Sequence, residues 1–522
     1  MKKVIYFLFG LALYSCQTNP VLTIEGGQVQ GVKADNEGVY VYRGIPFAAP
    51  PIKALRWKAP QPVVPWKGVK IADKFGHPAY QAVHYPGGYT TEWGYGAESP
   101  YSEDCLYLNV WTKTPGKIDQ KRPVALWIFG GGYREGWSSE PEFDGQEWAS
   151  KDVVLVSTNY RLNVFGFLTY PGLSEESPNH VSGNYGILDQ IEALKWIKKN
   201  IAQFGGDPDN ITIFGQSAGA GSVKTLCESP LAKDLIKKAI IMSGGGLTTA
   251  PAGMPAMPPA AAPAAPAAAN AAPAARPSAP GAGPGAPNTP GARPGAPGAP
   301  AGMPAFAGPM TLEQSELQTK TVMDWAGFTS LEKMRAASTE TMYTVGSLYT
   351  AVTGNRVRMA GSPMVDGYVS LQSFDAAAVD NKIANIPYMI GFTMNDMGNM
   401  TAGIAEFGLN REKAGGKAYT YQFARPLPTD GRENVLKGAF HSSDLWYVFK
   451  SLKHCWRPLT QGDWDLSEVM LTAWTNFAKT GDPNGQKGGA WTPYTKENPK
   501  FMVFKLDADN KEKSEMGDPI KP

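Results

Sequence analysis

The sequence predicts an α/β domain: a central, mostly parallel sheet covered by helices on both faces. Three observations carry that expectation. Short apolar runs recur without polar alternation, as in strands buried on both faces. Stretches with apolar residues at helical spacing lie between them. Strands that alternate with helices are joined by connections crossing the faces of one sheet.

In chain order, residues 124–129 (VALWIF) form a continuous apolar run that ends in three glycines. Residues 153–158 (VVLVST) are a second run, followed by the turn-like Asn159-Tyr160-Arg161. Residues 185–201 carry Ile187, Ile191, Leu194 and Ile197, with Trp196 alongside, which is the spacing of a helix. Residues 211–214, 239–242 and 386–391 supply three further strand-like runs. No repeat of 20–50 residues is present outside one low-complexity segment.

Composition bounds the function. The 522 residues include 49 basic and 47 acidic side chains, a formal net charge of +2. Neutralising nucleic-acid phosphates needs a clear basic excess, so no nucleic-acid partner is expected. With 43% hydrophobic and 11% aromatic residues, the chain can bury a sizeable core. Residues 251–309 hold 17 of the 44 prolines, and Arg276 and Arg293 are the charges in that stretch. A segment so rich in Pro, Ala and Gly cannot fold alone, so 250–309 is expected to be a disordered insertion within one domain. A lengthening loop adds little entropy cost, which favours a tolerated surface expansion over a tether or partner-binding arm. The single α/β domain is then 21–249 with 310–522.

At the N-terminus, Lys2 and Lys3 precede the apolar run 4–13, the length of a secretory signal core and too short to span a bilayer. Residues 13–16 (LYSC) resemble a bacterial lipobox, whose cysteine is lipidated. The expectation is a signal peptide over 1–15, a lipid-attached tether over 16–20 anchored at Cys16, and export to the periplasm or the cell exterior. The lipid would be the one membrane contact. The cysteines at 16, 105, 227 and 455 include no close-spaced pair that suggests a staple or a zinc site. The segment 507–510 lacks the glycine and closing glutamate of a calcium loop, so no metal is expected.

The strongest chemical signal is Gly215-Gln216-Ser217-Ala218-Gly219, directly after the run 211–214 and before a helix-like stretch. This is the nucleophile-elbow pattern: a strand turns sharply into a helix and lifts the serine hydroxyl clear of the backbone. The glycines two positions either side remove Cβ atoms that would clash in the turn. The Ala218 amide then points at an oxyanion formed beside Ser217. Gly130, Gly131 and Gly132, after the first strand-like run, leave further backbone N–H groups unobstructed.

Serine needs a base. Of His77, His84, His180, His441 and His454, the chain order serine, acid, histidine of an α/β-hydrolase leaves His441 and His454 downstream. His454 reads as a structural residue at a helix end, and His441 is the chosen base. Asp396, in the polar loop after the run 386–391, is the candidate acid; Asp366, in a turn before glycine, is its rival.

Several spaced motifs resemble the type-B carboxylesterases, the family that includes the cholinesterases. They are Arg43-Gly44-Ile45-Pro46-Phe47-Ala48 with Leu55-Arg56-Trp57, and Ser102-Glu103-Asp104-Cys105-Leu106-Tyr107-Leu108-Asn109. Asn159-Tyr160-Arg161, Leu188-Asp189-Gln190, Phe204-Gly205-Gly206-Asp207-Pro208 and Gly481-Asp482-Pro483-Asn484 follow in order. The resemblance covers nearly the whole chain outside the N-terminal segment and the insertion. It implies an α/β-hydrolase fold and a serine carboxylesterase acting on small-molecule esters without a cofactor. It also implies Ser217 as nucleophile, His441 as base, and Gly131, Gly132 and Ala218 as oxyanion donors. The acid position falls on Asp396, where the family usually has glutamate. Three departures stand out. Gln216 replaces the glutamate of cholinesterases, Tyr80 stands about where many secreted members place the partner of Cys105, and Phe129 replaces a histidine before the glycines. The loop 80–100, with Tyr85, Tyr89, Trp93 and Tyr95, falls at the mouth of the family's active-site gorge. Non-catalytic adhesion proteins of this fold, which generally lack a triad member, supply the alternative reading.

Overall fold

In the computed structural model the described residues are 19–82, 88–93, 100–247, 310–357, 359, 361–485 and 489–522. The chain divides into one unit of Met1–Thr249 with Met310–Pro522 and a second of Ala250–Pro309. The signal-peptide segment, Cys16, Tyr85, Tyr95 and the 250–309 insertion lie outside the described residues.

Fourteen strands are described: β1 (Val21–Ile24), β2 (Gly27–Gln30), β3 (Val32–Lys33), β4 (Tyr40–Pro46), β5 (Val69–Ile71), β6 (Tyr107–Thr112) and β7 (Arg122–Ile128) in the first part. β8 (Val154–Thr158), β9 (Gly206–Gln216), β10 (Lys238–Met242), β11 (Tyr388–Thr393), β12 (Ala418–Phe423), β13 (Phe501–Phe504) and β14 (Glu515–Gly517) follow. Eleven of them form the main sheet, in the order β14-β13-β12-β11-β10-β9-β7-β8-β6-β4-β3. From β8 through β13 every pairing is parallel. The flanks, β6-β4-β3 at one side and β14 at the other, are antiparallel. β1, β2 and β5 make a separate small sheet.

The five apolar runs are all strands of the parallel core. Every residue of β8, β10, β11 and β12 is buried, which is why the runs within β8, β10 and β11 read as unbroken apolar stretches. The run 386–391 enters the sheet only at Tyr388, because Pro387 has no amide to donate to a ladder. Helix α1 (Tyr185–Asn200) connects β8 to β9 and buries Ile187, Ile191, Leu194 and Ile197. Helix α2 (Ala218–Glu228) connects β9 to β10. At the centre, Trp127 packs against Phe143, Phe214 and Phe449 with ring centroids 4.8–5.0 Å apart.

The spaced motifs brace this frame. Arg161 makes a fully buried two-pronged ion pair with Asp189, at 2.7 and 2.8 Å. Arg56 does the same with Glu103, at 2.6 and 2.7 Å. Asn109 accepts from the Gly44 amide and donates to Ser138 and Ser157, tying β4 and β6 to the segment beyond β7. Cys105, Cys227 and Cys455 are free thiols, the first two buried. Among the described residues no helix is long and apolar enough to cross a membrane.

Candidate active site

The parallel strands end on one side of the sheet, where ligands of open α/β sheets bind. Three successive features meet there: the glycines after β7, the serine after β9 and the acidic loop after β11.

β9 runs without interruption into Ser217, which has φ 57° and ψ −121° and caps α2. A non-glycine residue in that region is strained, and the surroundings must hold it there. Ser217 donates its amide to the Met242 carbonyl (2.9 Å), and its carbonyl accepts from Gly221 (3.0 Å). The flanking glycines are required sterically. A Cβ at Gly219 would stand 2.0 Å from the Ile128 carbonyl oxygen, and one at Gly215 would stand 2.6 Å from the Gly219 backbone. The glycine loop lies directly against the elbow, since a Cβ on Gly130 would come within 3.1 Å of Ser217 Cβ. Gly131 and Gly132 both have positive φ, 91° and 63°. The amides of Gly131, Gly132 and Ala218 donate to no acceptor among the described residues, which leaves three N–H groups for a ligand oxygen.

His441 and Asp396 are brought together by a bridge between their two loops. Asn395 donates its amide to the Ala439 carbonyl, and its side chain accepts from the Ala439 amide, each at 2.9 Å. The Asp396 Oδ1 and His441 Nδ1 atoms are 2.6 Å apart, and both side chains are buried. Asp396 also accepts from the Met397 and Thr393 amides and the Thr393 hydroxyl. Burial opposes its charge, but the His441 contact and these donors outweigh it and hold the carboxyl below its ordinary range. At 2.6 Å the aspartate reaches the ring although it is one methylene shorter than glutamate. Asp366, the rival, spends one oxygen on the amides of Tyr368, Val369 and Ser370 and the other on Asn184, as a turn aspartate does. His454 sits in a short turn 3.8 Å from Asp144.

Ser217, His441, Gly131 and Gly132 line one cavity of about 530 Å³. Tyr89 and Trp93 line it too, on a short helix fixed by the buried Glu92–Arg457 ion pair. No hydrogen bond joins Ser217 to His441. The His441 Nε2 atom instead meets the side-chain amide of Gln216, at 3.1 Å. With Nδ1–H held by Asp396, the Gln216 amide donates to the Nε2 lone pair, the one a base would use.

Sequence reasoning missed two features. Gln216 was read only as a substituted position, although its place beside the nucleophile put it within reach of the base. Asp444, three residues after His441, carried no role. It is fully buried, faces Asp396 and His441, and accepts from the Tyr421 hydroxyl at 3.2 Å. Burial and then repulsion from Asp396 push its carboxyl up to about 7.

The Carboxylesterase family model matches residues 18–265 and 398–518, well over half of the chain. The chain belongs to the Carboxylesterase family. Within the family it is 45% identical over 222 residues to the fumonisin B1 esterase of Sphingopyxis macrogoltabida, 42% of this chain and 39% of that protein. It is 44% identical over 249 residues to the acetylcholinesterase of Electrophorus electricus, 46% of this chain and 38% of that protein. The chain therefore spans about two fifths of the length of these curated relatives. Among solved structures, it resembles a thermophilic PNB esterase with a TM-score of 0.70 and 24% identity, covering 96% of this chain and 98% of that one. A Geobacillus stearothermophilus carboxylesterase follows at TM-score 0.68 and 28% identity, covering 95% and 97%. The sheet order and these likenesses establish the α/β-hydrolase fold.

Proposed function

We propose that this protein is a serine carboxylic-ester hydrolase that works through an acyl-enzyme on Ser217. The observation that carries the reading is the shared cavity: a strained serine, a buried His441–Asp396 pair and unpartnered amides converge on it. His441 takes the Ser217 proton as the hydroxyl attacks the ester carbonyl. The Gly131, Gly132 and Ala218 amides receive the oxyanion. The imidazolium then protonates the leaving alcohol, and water repeats the cycle. The His441 ring must first exchange its Gln216 contact for the serine hydroxyl, as catalytic hydrogen bonds that are loose without substrate tighten when it binds. The substrates are small-molecule esters; the activities named for the two curated relatives support that class.

The test is turnover of a chain-length series of p-nitrophenyl esters, beside Ser217→Ala. Loss of about 10⁶ in kcat in the variant supports the nucleophile. A fluorophosphonate that leaves Ser217 unlabelled overturns it. The Gln216 contact on the base favours one rival, a binding protein with an idle triad, and that protein would show neither turnover nor labelling.

The charged start, the ten-residue apolar run and the lipobox-like residues 13–16 support export with a lipid on Cys16. The mass of the mature N-terminal peptide tests this, and a Cys16 without a lipid mass overturns the anchor. The 250–309 segment is read as a loop expansion, so its deletion leaves kcat unchanged.

A further inference from the structure

Three carboxyls that the esterase mechanism does not use line the cavity, Glu135, Glu140 and Glu142, and the last two form a pair. They flank Pro141 in the short turn Pro141–Phe143, downstream of the oxyanion glycines. Glu142 is 1% exposed, and apart from the Glu140 carboxyl and its own backbone, neither of its oxygens has a hydrogen-bond partner among the described residues. Glu140 accepts from the Trp137 amide at 2.8 Å and is partly buried. The pair is held by neighbours of the same sign. Glu135 adds to the field on Glu140, and Glu92 adds to that on Glu142, although Arg457 already claims Glu92.

Two carboxyls in mutual contact in a buried place resist ionising together, which favours a proton shared between them. Burial pushes Glu140 up to about 7, and burial with the Glu140 charge pushes Glu142 well up from the usual carboxyl range. Among the described residues, no cation forms an ion pair with either carboxyl. Tyr101 and Tyr160 feel the Glu140 charge. Tyr447 is turned to Asp463, and Lys453 and His454 to Asp35 and Asp144. Arg134 lines the same cavity but is exposed. A single buried negative charge with open acceptor oxygens is therefore presented to whatever enters.

We propose that the Glu140–Glu142 pair is a specificity-determining subsite that takes a protonated primary or secondary amine carried by the ester. This rests on the esterase reading of the same cavity. A quaternary ammonium would fit less well, because it has no N–H to give the four acceptor oxygens, whereas a primary ammonium has three. The exchange balances simply: the shared proton leaves to solvent as the ammonium arrives, both carboxyls become carboxylates, and one positive charge replaces another.

Two measurements on the full-length protein separate this proposal from the esterase reading. The first compares kcat/KM for 4-(aminomethyl)phenyl butyrate with its neutral isostere 4-ethylphenyl butyrate, and for 4-nitrophenyl 6-aminohexanoate with the heptanoate. In the wild type, the amine ester is preferred in at least one pair. In Glu142→Gln that preference falls by about 10–100-fold, the worth of a charge-assisted hydrogen bond, while the neutral esters keep their rates. The second is calorimetry with benzylamine in two buffers of different ionisation enthalpy. Binding with release of up to one proton, abolished in Glu142→Gln, supports the subsite even if no ester is turned over. An unchanged amine preference in Glu142→Gln with neutral-ester turnover intact overturns the proposal. So does benzylamine binding that survives the substitution, or a choline ester preferred over the primary amine.

Discussion

Asp396 and Glu142 are both buried carboxyls, one behind the His441 ring that lines the cavity and the other on the cavity wall itself, and their surroundings treat them oppositely. Asp396 has a histidine at 2.6 Å and two backbone amides, and its carboxyl is held down despite burial. Glu142 has another glutamate and no donor beyond its own backbone, and its carboxyl is pushed up. Burial is common to both, so burial does not set the charge state; the donors do. Asp444 lies between the extremes. It has one tyrosine hydroxyl at 3.2 Å and a carboxylate neighbour, and it rises to about 7. The three carboxyls thus rank by their donors: Asp396 is held down, while Asp444 and Glu142 are pushed up.

The comparison breaks first at Asp396. If its charge is what holds the His441 tautomer, Asp396→Asn lowers kcat by about 10⁴ while the fold and the cavity stay intact. Steady-state kinetics beside the thermal midpoint checks this. A loss of only a few-fold at an unchanged midpoint would show that the pairing is structural and that another group orients the imidazole.

Asp444 sharpens it next. A carboxyl whose folded pKa is raised keeps its proton in the native state over a range where the unfolded chain has lost it. Its stabilising contribution is whole below about pH 4 and is lost as the pH rises to about 7. Asp444→Asn removes that dependence. Relative to the variant, the wild type is expected to lose a few kcal/mol between pH 4 and pH 7 and to run parallel above it. Denaturant midpoints of the two proteins at several pH values measure the difference. Parallel curves across the whole range would mean that Asp444 is ionised throughout.

These contrasts also show what was legible in the sequence. The five strand-like runs, helix α1 and the elbow are local: period, composition and glycine placement record them, and each has its element in the fold. Ser217 was readable because its strain demands glycines at fixed offsets. His441 and Asp396 were reachable through chain order, but their contact was not, because it depends on the Asn395–Ala439 bridge between distant loops. The carboxyl pair was invisible for a related reason. Glu140 and Glu142 read as two ordinary acidic residues beside a proline until folding removes every donor from the second. Gln216 shows the same limit, since nothing local says that its amide reaches a base 225 residues on.

The smallest effect tests that last contact. Gln216 is neutral and donates to the His441 Nε2 atom. Replacing it by glutamate places a carboxylate about 3 Å from the same atom, and an opposite charge at that range typically raises a basic group by about one pKa unit or more. In Gln216→Glu the acid limb of the kcat/KM profile should therefore move to higher pH by about one unit. At a fixed pH on that limb, the rate would fall by about tenfold. On the plateau the rate should change little, because the unprotonated base is the same ring held by the same Asp396. An acid limb that stays in place would mean that residue 216 faces away from the base during turnover. The contact seen here would then belong to the resting enzyme alone.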